Sequence, residues 1–232
     1  MEASSSQYAS ISDGSQTGLD ITGDMTSAQW LKFESVGVNT FIARYRTDTS
    51  NRAYLIFYDV NQGVLKFVNS SNGSGFTEGT VAWSPTANTW YHVAVTKSGT
   101  TATFYINGST VGTATVESSQ FNSNSTFAIG AIVDTSPVLF HDGLADDVRI
   151  WARALSGTEI GDLYNAPATF SNGADLKGWW KFDNAYTDAS GNGNTLTAQN
   201  SPVFSTDVPF TAGTSTVTSN YTYAETNYAN MR

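Results

Sequence analysis

Strand signals recur along this chain at short intervals, and only one helix start is well marked. Alternating or β-branched and aromatic runs predict strands over residues 8–11, 25–33, 40–46, 53–58, 64–68, 90–96, 101–106, 110–115, 127–132, 145–151, 177–182 and 196–198. Asn107-Gly108 lies between two of them, and a type I′ hairpin turn needs positive φ at both central positions, which Asn and Gly tolerate. Ser156-Gly157-Thr158-Glu159 has the pattern of a capping box, in which the Ser and Glu side chains each satisfy a free N–H of the first helical turn. Ile160, Leu163 and Tyr164 give that helix one apolar face, and Pro167 closes it. About a dozen short strands and one helix predict an all-β chain, an antiparallel two-sheet β-sandwich of jelly-roll type with one short helix.

Composition agrees. Apolar residues make up 40% of the 232, including 6 Trp, 11 Tyr and 13 Phe, which is enough for a large core. Charged residues are only 13%, against a usual ~25%. Ser, Thr, Asn and Gly fill the difference, as in extracellular and virion β proteins. A net charge of −9 disfavours nucleic acid and anionic membranes, which need clustered Lys or Arg, and is compatible with cations and neutral sugars. Without cysteine there are no disulfides and no thiolate chemistry. No run of about 18 apolar residues predicts a membrane span. The opening Met1-Glu2-Ala3-Ser4 lacks the basic-then-apolar order of a signal peptide, so the expected location (extracellular, cell surface or virion) is reached by another route or after trimming.

Several blocks, taken in order, resemble one family. Tyr8-Ala-Ser-Ile11 with Leu19-Asp-Ile-Thr-Gly-Asp-Met-Thr26 looks like the opening of a laminin-G-like, concanavalin A-like jelly-roll domain. Trp90-Tyr-His-Val-Ala-Val95, Phe104-Tyr-Ile-Asn-Gly-Ser-Thr-Val-Gly112, Asp146-Asp-Val-Arg-Ile-Trp151, Gly178-Trp-Trp-Lys-Phe-Asp183 and Thr187-Asp-Ala-Ser-Gly-Asn-Gly-Asn194 are similar to later blocks. Asp147 stands where the family more often has Glu. The resemblance implies one domain over residues 5–210, two antiparallel sheets, often a structural calcium ion, and a non-catalytic module that binds carbohydrate; the alternative is a structural or adhesion domain of a surface or virion assembly that binds a protein partner. Residues 211–232 are a Thr/Ser-rich extension carrying Tyr221, Tyr223 and Tyr228, expected to act as a linker, an added edge strand or a contact through which subunits associate.

Candidate metal ligands come from two places. Asp188, Ser190, Asn192 and Asn194 put oxygen side chains at alternate positions around Gly191 and Gly193, as a calcium loop requires. The twelfth position holds Gln199 instead of a bidentate Glu, so the loop is no EF-hand. The alternative is an Asn/Gly turn in which Asp188 accepts backbone N–H groups. In related folds the Asp of the strand at Asp146 coordinates calcium, so the resemblance makes Asp146 a ligand candidate. Asp147, on the opposite face by strand alternation, would pair with Arg149 or Arg153. Asp13 and Asp142 are weaker candidates. His92 is expected to be packed, and His141 lies in a loop; two isolated histidines make zinc improbable.

Catalysis is not expected. Sugar-cleaving members of the superfamily carry Glu-x-Asp-x-Glu on one strand, which puts two carboxylates on one face. Here Glu2, Glu34, Glu78, Glu117, Glu159 and Glu225 never share a strand, and no Gly-x-Ser-x-Gly elbow is present. For ligand binding, alternation along residues 52–58 places Arg52, Tyr54, Ile56 and Tyr58 on one face and Ala53, Leu55 and Phe57 on the other. Reading the second face as core leaves the first, with Arg44 from the preceding strand, as a surface for sugar hydroxyls and rings. Trp83 is a further stacking candidate. The plainer alternative is an ordinary solvent-facing sheet surface.

Overall fold

The computed structural model describes residues 1–209. The extension at 211–232, and any strand or subunit contact expected of it, lies outside the described residues. In chain order the strands are β1 (Tyr8–Ile11), β2 (Met25–Phe33), β3 (Asn39–Tyr45), β4 (Arg52–Asp59), β5 (Val64–Asn69), β6 (Thr77–Ala82), β7 (Trp90–Ser98), β8 (Thr101–Ile106), β9 (Ser109–Thr115), β10 (Phe127–Ile129), β11 (Gly143–Trp151), β12 (Leu176–Trp180) and β13 (Thr197–Gln199). The helix α1 spans Gly157–Asn165 between β11 and β12. One sheet has seven strands in the order β13-β1-β10-β3-β4-β5-β6, and the other has six in the order β12-β11-β2-β7-β8-β9. Every pairing between named strands is antiparallel.

The sheets face each other across one large apolar cluster. Phe33, Phe41, Ile56, Phe67, Val93, Phe104, Phe127, Ile150 and Trp180 meet there, with the rings of Phe127 and Trp180 stacked at 5.2 Å. A smaller cluster lies outside the six-stranded sheet, where Ile160 and Leu163 of α1 cover Ala28, Ala94 and Trp151. Both halves of the predicted capping box form: Glu159 N–H donates to Ser156 Oγ, and Ser156 N–H donates to Glu159. His92 packs beneath α1 between Trp30 and Tyr164, and His141 packs against Phe33 and Phe41. Burial lowers the pKa of His92 to about 3 and of His141 to about 4. Among the described residues no helix is long and apolar enough to cross a membrane.

The structure departs from the sequence reading in two places, the first a strand, β6, that the sequence did not predict. β6 carries only Gly79 and Val81 as its inward residues, too sparse a pattern to announce a strand. The small residue is needed because a Cβ at Gly79 would sit 2.8 Å from Cγ1 of Val116, the residue that follows β9. The second departure is a correction, at β4. Tyr54, Ile56 and Tyr58 point into the space between the sheets and belong to the main core. Leu55 and Phe57 pack on the outer side, with Ala43, Tyr45, Val68 and Ile132. Both faces of β4 are covered, so alternation along the strand could not say which face is wet.

Candidate functional site

β11 is not a regular strand. It pairs with β2 through Asp146 opposite Trp30, and pairing resumes at Arg149 opposite Ala28. The interruption is a bulge in which Asp147 takes φ 47°, a left-handed conformation unusual for a non-glycine residue. The two acidic side chains are thereby separated. Asp147 turns to Arg149, which donates from Nε at 3.0 Å and from Nη2 at 2.9 Å. It also accepts the Trp179 indole N–H at 2.5 Å, while the Arg149 guanidinium lies 4.2 Å over that ring. Asp147 is therefore the paired member that the sequence implied; Arg153 is engaged elsewhere, with Glu159 at 2.7 Å.

Asp146 lines a cleft instead. Its walls include Trp90, Phe182, Asp183, Tyr186 and Phe204, with Ala145 and Leu144 along the floor strand. Phe182 and Tyr186 meet edge to face at 5.9 Å, and Tyr186 lies 4.9 Å from Phe204. Asp146 is half-buried, and burial pushes its carboxyl up to about 7; the charges of Asp147 and Asp183 act in the same direction, against the Asp147 N–H bonded at 2.8 Å. Neither Asp146 nor Asp183 has an ion-pair partner among the described residues. A perturbed carboxyl in an aromatic-walled cleft makes this the candidate functional site. Chemically, the rings offer apolar faces, and a carboxyl titrating near neutrality offers both a donor and an acceptor.

The other predicted site residues are placed elsewhere. Tyr54 has no exposed surface and donates its hydroxyl to the Leu19 carbonyl at 3.0 Å. Tyr58 is buried against Trp83 and Phe33. Arg44, also fully buried, is held by Asp13, Asp20 and the carbonyl of Ser123. These three residues are core and bracing groups, because the face they share is the inter-sheet face. Arg52 is spent as well: it donates to the carbonyls of Ser74 and Thr47 and lies over the rings of Tyr45 and Phe76. Trp83 is half-buried in an aromatic cluster with Phe33, Tyr58 and Tyr91 at 5.4–5.6 Å.

The loop predicted to hold calcium is closed by the protein's own donors. One oxygen of Asp188 accepts the N–H groups of Trp179 and Ser190, and the other accepts Ser190 Oγ–H and the N–H of Asn194, all at 2.8–2.9 Å. Asn192 and Asn194 turn their amide NH₂ groups toward the carbonyl of Lys177. Four donors already fill the Asp188 carboxylate, and the amides present hydrogens toward the carbonyls a cation would use, so these residues do not fit calcium. Neither Asp146 nor Asp188 belongs to a converging trio of acidic or imidazole groups; the trio among the described residues is Glu2, Glu34 and Asp142. There Asp142 already accepts the N–H of Ala3 and the hydroxyl of Ser35.

Sequence reasoning missed Trp90, Asp183, Tyr186 and Phe204 as cleft residues. The available signal was the Gly178–Asp183 block, where alternating aromatics end on a carboxylate. Nothing in the sequence showed that residues 202–208 fold back onto it.

Two antiparallel sheets closed by a capped helix, with a bulged strand beside a cleft, define a sandwich of the concanavalin A-like class. The chain belongs to the concanavalin A-like lectin/glucanases superfamily, whose laminin G-like family profile matches residues 3–161. Among solved structures, a Bacteroides ovatus protein superposes with a TM-score of 0.62 at 18% identity, over 83% of this chain and 57% of its own. The heptameric pentraxin of Limulus polyphemus superposes with a TM-score of 0.57 at 17% identity, over 78% of this chain and 81% of its own. These likenesses establish the fold. No curated protein matches the chain in sequence.

Proposed function

We propose that this domain is a non-catalytic carbohydrate-binding module whose ligand enters the cleft at Asp146. The observation that carries the reading is the pairing of aromatic walls (Trp90, Phe182, Tyr186) with two carboxyls that have no ion-pair partner among the described residues, Asp146 and Asp183. Sugar rings present C–H faces that stack on aromatic side chains and hydroxyls that bond to carboxylates. The Bacteroides ovatus neighbour is provisionally described as a carbohydrate binding protein, which supports the same direction. A single small site of this kind gives modest affinity, and useful binding would come from several copies acting together. β6 carries Glu78 alone, and Glu159 sits in α1, so among the described residues no strand presents the paired glutamates of the sugar-cleaving branch. A glycan array on the wild-type protein and on Asp146→Ala tests the proposal.

One observation favours a second reading. Two carboxyls, Asp146 and Asp183, line the same cleft, as the acid and its partner do in a glycosidase. Release of reducing ends from any bound glycan would select hydrolysis over binding.

A further inference from the structure

Six of the residues lining the cleft, Pro202, Val203, Phe204, Ser205, Asp207 and Val208, come from the segment that follows β13. This segment has no regular secondary structure. Among the described residues, 200–208 make no backbone–backbone hydrogen bond with the sandwich. Side chains hold the segment. Asp207 accepts the Trp90 indole N–H on one oxygen at 2.9 Å and the Lys32 ammonium on the other. Tyr186 donates its hydroxyl to the Pro202 carbonyl at 2.9 Å, and Phe204 rests on the Tyr186 ring. At the base of the segment, Asn200 and Ser201 are consecutive residues in the left-handed region, with φ 57° and 56°. Two such residues mark a sharp reversal of the chain that can absorb a change of direction. Val203 meanwhile is 79% exposed, so the outer side of the segment is not packed.

We propose that residues 202–208 are a strap that closes the cleft, and that release of Asp207 from Trp90 and Lys32 swings it away to admit a ligand to Asp146. The energetics allow this. The Lys32–Asp207 pair is solvent-accessible, where ion pairs are weak and screened, and no ladder of backbone bonds has to break. Asp207 also occupies the Trp90 indole N–H that an incoming hydroxyl would use, so the strap acts as an internal competitor. The inference concerns access to the cleft and holds whether or not the ligand is a glycan.

The chain has no cysteine, so one introduced thiol reports without background. In Ala145→Cys, on the cleft floor, the rate of modification by a small aromatic disulfide reagent is measured with Asp207 intact and with Asp207→Ala added. The rate is expected to rise several-fold with Asp207→Ala. It is also expected to increase with salt only while Asp207 is present, because screening weakens the Lys32 pair. Equal rates in the two proteins, with no salt dependence, would overturn the strap. Should Ala145→Cys fail to fold, Leu144→Cys gives the same comparison. No glycan enters this assay, so its failure is distinct from failure of the carbohydrate reading.

Discussion

Arg149 grips Asp147 through two parallel hydrogen bonds at 2.9 and 3.0 Å, two residues apart across the β11 bulge. Arg149 is 1% exposed, and its remaining donors go to Asn172 Oδ1 and the Pro167 carbonyl, so the pair ties the bulge to the segment after α1. Removing the carboxylate would leave a buried guanidinium without its counter-charge. Asp147→Ala is expected to cost about 3 kcal/mol, measured by urea denaturation, well beyond a surface aspartate such as Asp162. A loss under about 0.5 kcal/mol would mean the pair does not hold the bulge.

The Asp188 loop gives a prediction of the opposite kind. Its carboxylate is filled by three backbone N–H groups and a hydroxyl, so the loop needs no cation to be ordered. The thermal midpoint is therefore expected to stay within about 1 °C when a chelator replaces calcium, since a ligand that does not bind the native state adds no stability. Asp188→Ala, by contrast, strands those N–H groups and is expected to cost about 2–4 kcal/mol. A midpoint that depends on calcium in the wild type and not in Asp188→Ala would show that the loop rearranges around a metal.

His92 and His141 set the acid limit. Their pKa values in the fold, about 3 and about 4, lie below the ordinary 6.5, so the unfolded chain takes up protons that the fold excludes. Their contribution to stability is complete above pH 6.5 and is lost as pH falls toward 4 and then 3. Each histidine is expected to remove about 1 kcal/mol per pH unit below 6. Comparing the pH slope of urea midpoints for wild type and His92→Asn isolates the effect, because any fixed cost of the substitution does not vary with pH. Identical slopes would contradict neutral burial of His92.

Asp146 titrates in the reverse sense. With a pKa raised to about 7 in the fold, its favourable contribution is full below the unfolded value near 3.8 and is lost as pH rises through 7. Asp146→Asn is therefore expected to stabilise the protein at pH 8 by on the order of 2 kcal/mol and to leave it unchanged at pH 4. Gained stability with lost binding is the pattern of a residue kept for function. Destabilisation at pH 8 would mean that Asp146 has a partner holding it ionised.

The architecture was legible in the sequence because turn chemistry and alternation are local. Asn107-Gly108, the Ser156–Glu159 capping box and the bounds of β1, β2 and β8 all follow from neighbouring residues. The site was less legible, for three physical reasons. Tyr54 and Tyr58 lie on a strand buried on both faces, and alternation distinguishes two faces without saying which is wet. Asp188 has the composition of a metal loop, but which donors fill its oxygens depends on where Trp179 and Asn194 come to lie. Asp146 was singled out through the family resemblance. Its aromatic surroundings come from positions 90, 182, 186 and 204, gathered only by the tertiary fold.

The carbohydrate proposal is tested most directly by a multivalent glycan array probed with four proteins: wild type, Asp207→Ala, Asp146→Ala and Trp90→Ala. The Asp207→Ala protein removes the strap contact, so a closed cleft cannot hide a ligand. The account predicts binding to a defined set of glycans by wild type or Asp207→Ala, abolished or reduced at least about tenfold by Asp146→Ala and by Trp90→Ala, a loss of about 1.4 kcal/mol. A blank array for both wild type and Asp207→Ala, or binding untouched by Asp146→Ala and Trp90→Ala, would contradict it.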